Sequence, residues 1–229
     1  MIASDLKYAR HTLYRSLLDV FYPPLCTCCQ KHLISAALFL CPACRQQITP
    51  FNGGLDKALA GRSFDQLYIL FEYGPVIREL IHLLKYKHYL SLCRLFAREA
   101  GDRFSGLRAE NYTAIVPVPL HRTRLRERGY NQSEELARAL AAEFDIRLKS
   151  ERLLRSRHTS SQTKKSRQQR EDNMKDAFIC RGTLRGERLL LVDDVVTTGS
   201  TIESCIRILR KAGAVRVDVL AVAHPPETG

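Results

Sequence analysis

The sequence has 229 residues, 45% hydrophobic and 26% charged, enough to bury the core of one ordinary domain plus a small module without disulfide support. Its 36 Lys and Arg against 24 Asp and Glu leave a net charge of +12, which points to polyanionic partners. No run approaches the ~20 apolar residues that cross a bilayer, so no membrane span is expected.

In chain order, Leu6, Ala9, Leu13, Leu17 and Phe21 recur at helical spacing and predict an amphipathic helix over 4–21, ending before Pro23-Pro24. Asp5, Lys7, Arg10, Arg15 and Asp19 interrupt this stretch, so it does not read as a signal peptide, and a cytoplasmic protein is expected. Cys26-x-x-Cys29 and Cys41-x-x-Cys44 follow. Each two-residue gap lets a tight knuckle turn both thiolates to one ion, and two knuckles complete a tetrahedral four-sulfur zinc site. Cys28 could replace Cys26 or Cys29 as a ligand. A redox dithiol at Cys41-Pro42-Ala43-Cys44 is the other reading, but no strand-helix-strand pattern surrounds it. Cys93, Cys180 and Cys205 are isolated and read as small buried apolar residues.

Pro50, Gly53, Gly54 and Gly61 mark a linker. Beyond it Leu67–Phe71 reads as a strand, Val76–Leu84 as a helix, 114–117 as a strand, 131–144 as a helix capped by Asn131, 189–193 as a strand, 201–212 as a helix and 215–223 as a strand. Strands alternating with helices give an α/β domain with a mostly parallel sheet. The expected organisation is an N-terminal helix and four-cysteine zinc module at 1–48, a linker at 49–66 and an α/β domain at 67–229.

The most informative stretch runs from Leu189 to Thr201, LLLVDDVVTTGST: an apolar strand ending in Asp193-Asp194, then a hydroxyl-rich loop with one glycine, then a helix. Ser200 and Glu203 have capping-box spacing. Free N–H groups at a helix start bind phosphate, and Gly199 lets the backbone close around it. Thr197, Thr198, Ser200 and Thr201 add hydroxyl donors, and the two carboxylates can accept hydrogen bonds from the vicinal hydroxyls of a sugar. This outlines a ribose 5-phosphate site. The lysine of a P-loop and the G-x-G-x-x-G of a dinucleotide fold are both absent, and phosphoacceptor receiver domains lack such a loop after their acids.

The stretch resembles the phosphoribosyl pyrophosphate (PRPP) motif of type I phosphoribosyltransferases. Three further segments extend the resemblance: Tyr73-Gly74-Pro75 through Lys85-Tyr86, Val116-Pro117-Val118-Pro119-Leu120 through Arg128-Gly129-Tyr130-Asn131-Gln132, and Thr159-x-x-Gln162 through Arg170-x-x-Asn173. With the cysteine pairs, in this order, the chain resembles the competence protein F (ComF) family. The family usually has glycine shortly after Lys85-Tyr86, where this chain has Lys87-His88, and leucine where it has Lys164-Lys165.

The resemblance implies a type I phosphoribosyltransferase fold behind a zinc-ribbon-like module. It also implies PRPP bound with magnesium at Asp193, Asp194 and Thr197 to Thr201. A pyrophosphate loop would carry Arg124 and Arg128, and a mobile lid Thr159, Gln162 and Arg170. No residue stands out as a base. The implied role is in DNA uptake during natural competence, with single-stranded DNA as partner. The alternative is an active phosphoribosyltransferase acting on an unknown amine or nucleobase. A third reading is a zinc-ribbon adaptor for competence or helicase proteins. Charge clusters suit DNA: four arginines face Glu127 between 121 and 133, and seven bases, among them Lys164, Lys165 and Arg167, lie between 152 and 170 with no acid. Single-strand binders usually interleave aromatics, and Tyr86, Tyr89 and Tyr130 are the nearest candidates.

Overall fold

The computed structural model describes residues 23–34, 39–52, 59, 61–104, 106–155 and 177–225. The helix expected over 4–21 and most of the expected lid, including Thr159, Gln162, Lys164, Lys165, Arg167 and Arg170, lie outside the described residues. The chain divides into two compact units, Met1–Ile48 and Thr49–Gly229.

In the first unit two backbone turns carry the cysteines. Leu25 and His32 form an isolated antiparallel bridge that closes the first knuckle, with Gln30 N–H donating to Cys26 O at 2.9 Å. The second knuckle enters the short helix α1 (Pro42–Gln46), whose N-cap is Cys41 and whose first position is proline, where a missing N–H costs nothing.

The second unit is built on β1 (Leu67–Glu72), β2 (Ala114–Pro117), β5 (Arg188–Val195) and β6 (Arg216–His224), all parallel in the order β1-β6-β5-β2. The register sets Ala114 against Leu189 and Val192 against Leu220. Leu189 to Val192 are all fully buried, as a strand covered on both faces requires. Each such side chain contributes about 1.5–3 kcal/mol of burial.

One face of the sheet packs Leu189, Leu191, Val217 and Val219 against Ile202, Cys205, Ile206 and Leu209 of α6 (Ser200–Lys211). The antiparallel hairpin β3 (Leu153–Arg155) and β4 (Phe178–Cys180) adds Leu153 and Phe178 to the same core. By alternation Leu190, Val192, Leu220 and Val222 face the other side. There the helices are α2 (Pro75–Tyr86), α3 (Ser91–Arg103) and α5 (Gln132–Phe144). They bury Ile77, Leu80, Ile81, Leu84, Phe96, Leu136 and Leu140.

The expected parallel α/β sheet is therefore present, and this is a type I phosphoribosyltransferase fold. Helix α3, the hairpin and α4 (Arg122–Arg128) are additions to the elements read from sequence. The stretch 49–66, read as a linker, is attached to the second unit where it is described. Phe51 N–H bonds Leu70 O, Glu72 N–H bonds Thr49 O, Arg103 donates to the carbonyls of Leu70 and Phe51, and Leu59 is 1% exposed within the core beside α6. No helix of the described residues is long and apolar enough to cross a membrane.

Candidate functional site

The site lies at the carboxyl end of β5, the end of a parallel sheet where ligands gather. Asp193 and Asp194 are consecutive, so the strand sends them to opposite faces. Asp193 Oδ1 accepts from Ser133 Oγ at 2.9 Å, a contact from the first turn of α5, and from the Asp194 N–H at 2.9 Å. Asp194 is 4% exposed, and its Oδ1 accepts from the Val195 N–H at 2.8 Å. Lys85 Nζ, from the last turn of α2, lies 2.6 Å from Asp194 Oδ2. It approaches outside hydrogen-bond geometry, so Oδ2 is buried with an ionic partner and no hydrogen-bond donor. Burial, and then the Asp194 charge, push the Asp193 carboxyl up to about 7 against the opposing pull of Ser133 and Lys85.

After the acids the chain turns through Thr197 and Thr198 into α6. Gly199 is the N-cap, with φ +69°, and no side chain caps the helix. The first-turn N–H groups thus face the loop with the helix dipole behind them. Thr198 Oγ1 and Ser200 Oγ are 3.2 Å apart. The expected Ser200–Glu203 capping box is not formed. Ser200 is already inside the helix, and Glu203 accepts instead from Ser63 N at 2.9 Å and Ser63 Oγ at 2.7 Å. Arg62 beside it donates to Thr198 O at 2.8 Å. Leu59, Arg62 and Ser63, in the stretch expected as a linker, thus brace the loop and the first turn of α6.

Arg124 and Arg128 were expected on a loop; they sit instead on α4, capped by His121, whose Nδ1 accepts from the Thr123 N–H at 3.2 Å. Gly129, at φ +80°, ends that helix. Asn131 then caps α5 as expected, accepting from the Ser133 N–H at 3.1 Å while donating to Val118 O at 3.0 Å. Glu134, at the capping-box position, accepts from Arg138. On the hairpin Arg155 lies over the Phe178 ring at 5.4 Å. Burial lowers its pKa, and it feels Cys205, Arg124 and Asp193 electrostatically. Thr159, Gln162 and Arg170 lie outside the described residues.

In the first unit the sulfurs of Cys26, Cys29, Cys41 and Cys44 all lie within 4.8 Å of one another, and Cys28 is not among them. Cys29 and Cys41 Sγ are 3.6 Å apart. Four thiolates around zinc at bonds of about 2.3 Å have edges of about 3.8 Å, so the set fits a tetrahedral ion. Although burial opposes it, backbone N–H groups of Cys29, Cys41 and Cys28 bring the Cys26 thiol down to about 6, while burial and the neighbouring thiols raise Cys44.

The phosphoribosyl transferase domain family matches residues 131–229, which include the β5–α6 turn. Competence protein F of Haemophilus influenzae is 30% identical over 218 residues, spanning 92% of this chain and 94% of that protein. The chain belongs to the competence protein F family. DNA utilization protein YhgH of Escherichia coli K12 is 33% identical over 79% of this chain and 82% of its own length. Competence protein ComFC of Bacillus subtilis is 24% identical over 91% and 88%. Among solved structures, a hypoxanthine phosphoribosyltransferase from Staphylococcus aureus is similar at TM-score 0.41 and 13% identity, over 60% of this chain and 65% of that one.

Two of the segments that carried the ComF resemblance meet in space. Arg128 stacks its guanidinium 4.9 Å above the Tyr86 ring, donates to Tyr86 Oη at 3.2 Å and to Gln132 Oε1 at 2.8 Å, and Tyr130 Oη donates to Leu84 O. Consecutive residues of α2 therefore hold the acidic pair through Lys85 and the arginine segment through Tyr86. No local sequence pattern joins these residues, since their partners lie 42 and more positions away.

Proposed function

We propose that this ComF-family chain binds PRPP at the β5–α6 turn, binds single-stranded DNA through its basic segments, and serves DNA uptake and use. The observation that carries the ligand reading is the turn itself. A half-buried Asp193 and a buried Asp194 end the strand, Gly199 sits in a left-handed conformation, and an uncapped helix start is surrounded by hydroxyls. The 5-phosphate would take the N–H groups and hydroxyls of residues 197–201, and the ribose hydroxyls would donate to Asp193 and Asp194. The relatives' names, competence protein F and DNA utilization protein, support the DNA role.

Arg155 on the hairpin feels both Asp193 and the Arg124 of α4 electrostatically, and would supply positive charge beside the acids. Donors held there stabilise charge developing on a pyrophosphate leaving group. Magnesium, carried in by the pyrophosphate, would supply further charge neutralisation at its oxygens. The four-cysteine set would hold zinc as a structural ion, organising a unit too small to fold on its own apolar core.

Calorimetry with PRPP and magnesium tests the ligand reading. Replacing Ser200 and Thr201 together by alanine removes hydrogen bonds to a charged group, each about 1.5 kcal/mol or more, and affinity should fall by at least about tenfold. Equal affinity in the double variant would overturn the placement. A pyrophosphate-release screen over nucleobases and amines then separates a bound ligand from a transferred one.

A further inference from the structure

A buried carboxylate must be neutralised by something. The cation that meets Asp194 in this fold is a lysine of the chain itself, 2.6 Å from Oδ2 and anchored in the last turn of α2, with the Lys85 side chain 22% exposed and that of Asp194 6% exposed. We propose that Lys85 is the resident cation of the acidic pair: its ammonium fills the position a divalent ion would take at Asp194, so that a sugar phosphate meets a carboxylate already neutralised and needs no metal at its ribose end. The sugar part of this inference rests on the ligand reading above; the cation part does not.

Three observations support it. Asp194 Oδ2 has no hydrogen-bond donor, so the lysine is its sole compensation among the described residues. The other acid is also served from within the chain, by Ser133 on α5 and, at longer range, by the charge of Arg155 on the hairpin. Finally, Lys85 precedes Tyr86, whose ring and hydroxyl are both held by Arg128, so the helix end that delivers the ammonium is fixed in place. A lysine on a fixed helix end is tethered near the carboxylate, and a free divalent ion must displace it at the cost of leaving an ammonium half-buried.

The test uses the full zinc-loaded chain and Mn2+ followed by electron paramagnetic resonance. Wild type and Lys85→Arg should leave Mn2+ free. Lys85→Gln should bind a single Mn2+ at least about tenfold more tightly than wild type, and Lys85→Gln with Asp194→Asn should lose it again. Lys85→Met serves as a second variant, and the uncharged but polar Gln side chain preserves the fold beside a buried carboxylate if Met does not. If Lys85→Gln binds Mn2+ no better than wild type, or if wild type itself binds Mn2+ in a manner lost with Asp194→Asn, the inference is overturned. In buffer freed of divalent ions by resin, wild type should bind ribose 5-phosphate as well as it does with magnesium, whereas Lys85→Gln should bind it about tenfold more weakly and recover with magnesium. Magnesium-dependent binding by wild type also overturns the inference. If ribose 5-phosphate binds neither protein, the ligand reading fails and the Mn2+ result still decides the role of Lys85.

Discussion

Ser133 on α5 and Asp193 on β5 are joined by a 2.9 Å hydrogen bond across 60 positions of sequence. The bond favours the ionised carboxylate, yet burial and the neighbouring Asp194 outweigh it and raise Asp193 to about 7. A carboxyl raised in the folded state keeps its proton where the unfolded chain has lost its own, so stability falls as pH rises from about 4 to about 7 and levels off above. Asp193→Asn should remove that fall and leave the variant more stable than wild type at pH 8. Urea denaturation at a series of pH values checks this; an unchanged pH slope would show that the carboxyl titrates in its usual range.

Gly199 gives the second prediction. A Cβ there would stand 2.8 Å from Leu59 Cδ2 on a backbone at φ +69°. Left-handed backbone costs a side-chain residue about 1–2 kcal/mol, and a closely packed leucine yields only by giving up core contacts. Gly199→Ala should therefore destabilise by at least about 1 kcal/mol in denaturant unfolding. Combining it with Leu59→Ala should cost less than the two single losses summed, because the second change opens the space the first one needs. Strict additivity would mean that Leu59 does not set the shape of the loop.

The strands of the parallel sheet and helices α2, α5 and α6 were legible because their signals are local. Leu189 to Val192 form an apolar run ending in acids, and Asn131 caps a periodic segment, as the structure bears out. Helix α3 had a readable pattern in Leu92, Cys93, Phe96, Ala97 and Ala100, but its first residues follow a polar turn with no capping side chain to mark the start. Helix α4 buries none of its residues, so no apolar stripe could announce it, and four arginines read more naturally as a loop. What surrounds the β5–α6 turn was hidden for a different reason. Ser63 bonds Glu203 across 140 positions, and Arg62 bonds Thr198 across 136, contacts that only the closed sheet creates. The capping-box reading failed on this point: Glu203 had a stronger partner than its own helix start.

The cysteine set leads to a prediction that separates its ligands. Because the sulfurs of Cys26, Cys29, Cys41 and Cys44 converge and Cys28 is not among them, Cys41→Ser should lose zinc, and Cys28→Ser should keep it. Elemental analysis of purified protein should find close to one zinc per wild-type chain. Metal binding carries folding free energy in so small a unit, so chelation should expose its backbone to hydrogen exchange over 23–48. Zinc retained in Cys41→Ser but lost from Cys28→Ser would exchange the ligand roles.

The last prediction concerns DNA. Helix α4 presents Arg122, Arg124 and Arg126 on an element with no buried residue, and Lys164, Lys165 and Arg167 form a second basic group in the sequence. Arg152 is a poorer candidate, since it donates to Arg181 O at 3.0 Å and lies 3.8 Å from Glu187. If both groups contact phosphates, affinity for single-stranded DNA must fall with salt by about 0.7 logarithmic units per contact. Replacing either triplet by alanine should then flatten the slope by roughly two units. Arg128 is left out of both triplets because it is committed to Tyr86 and Gln132, and replacing it would disturb the end of α2 along with any phosphate contact. An unchanged slope for Lys164, Lys165 and Arg167 would assign DNA contact to α4 alone, and an unchanged slope for both would remove DNA from the role of these two segments.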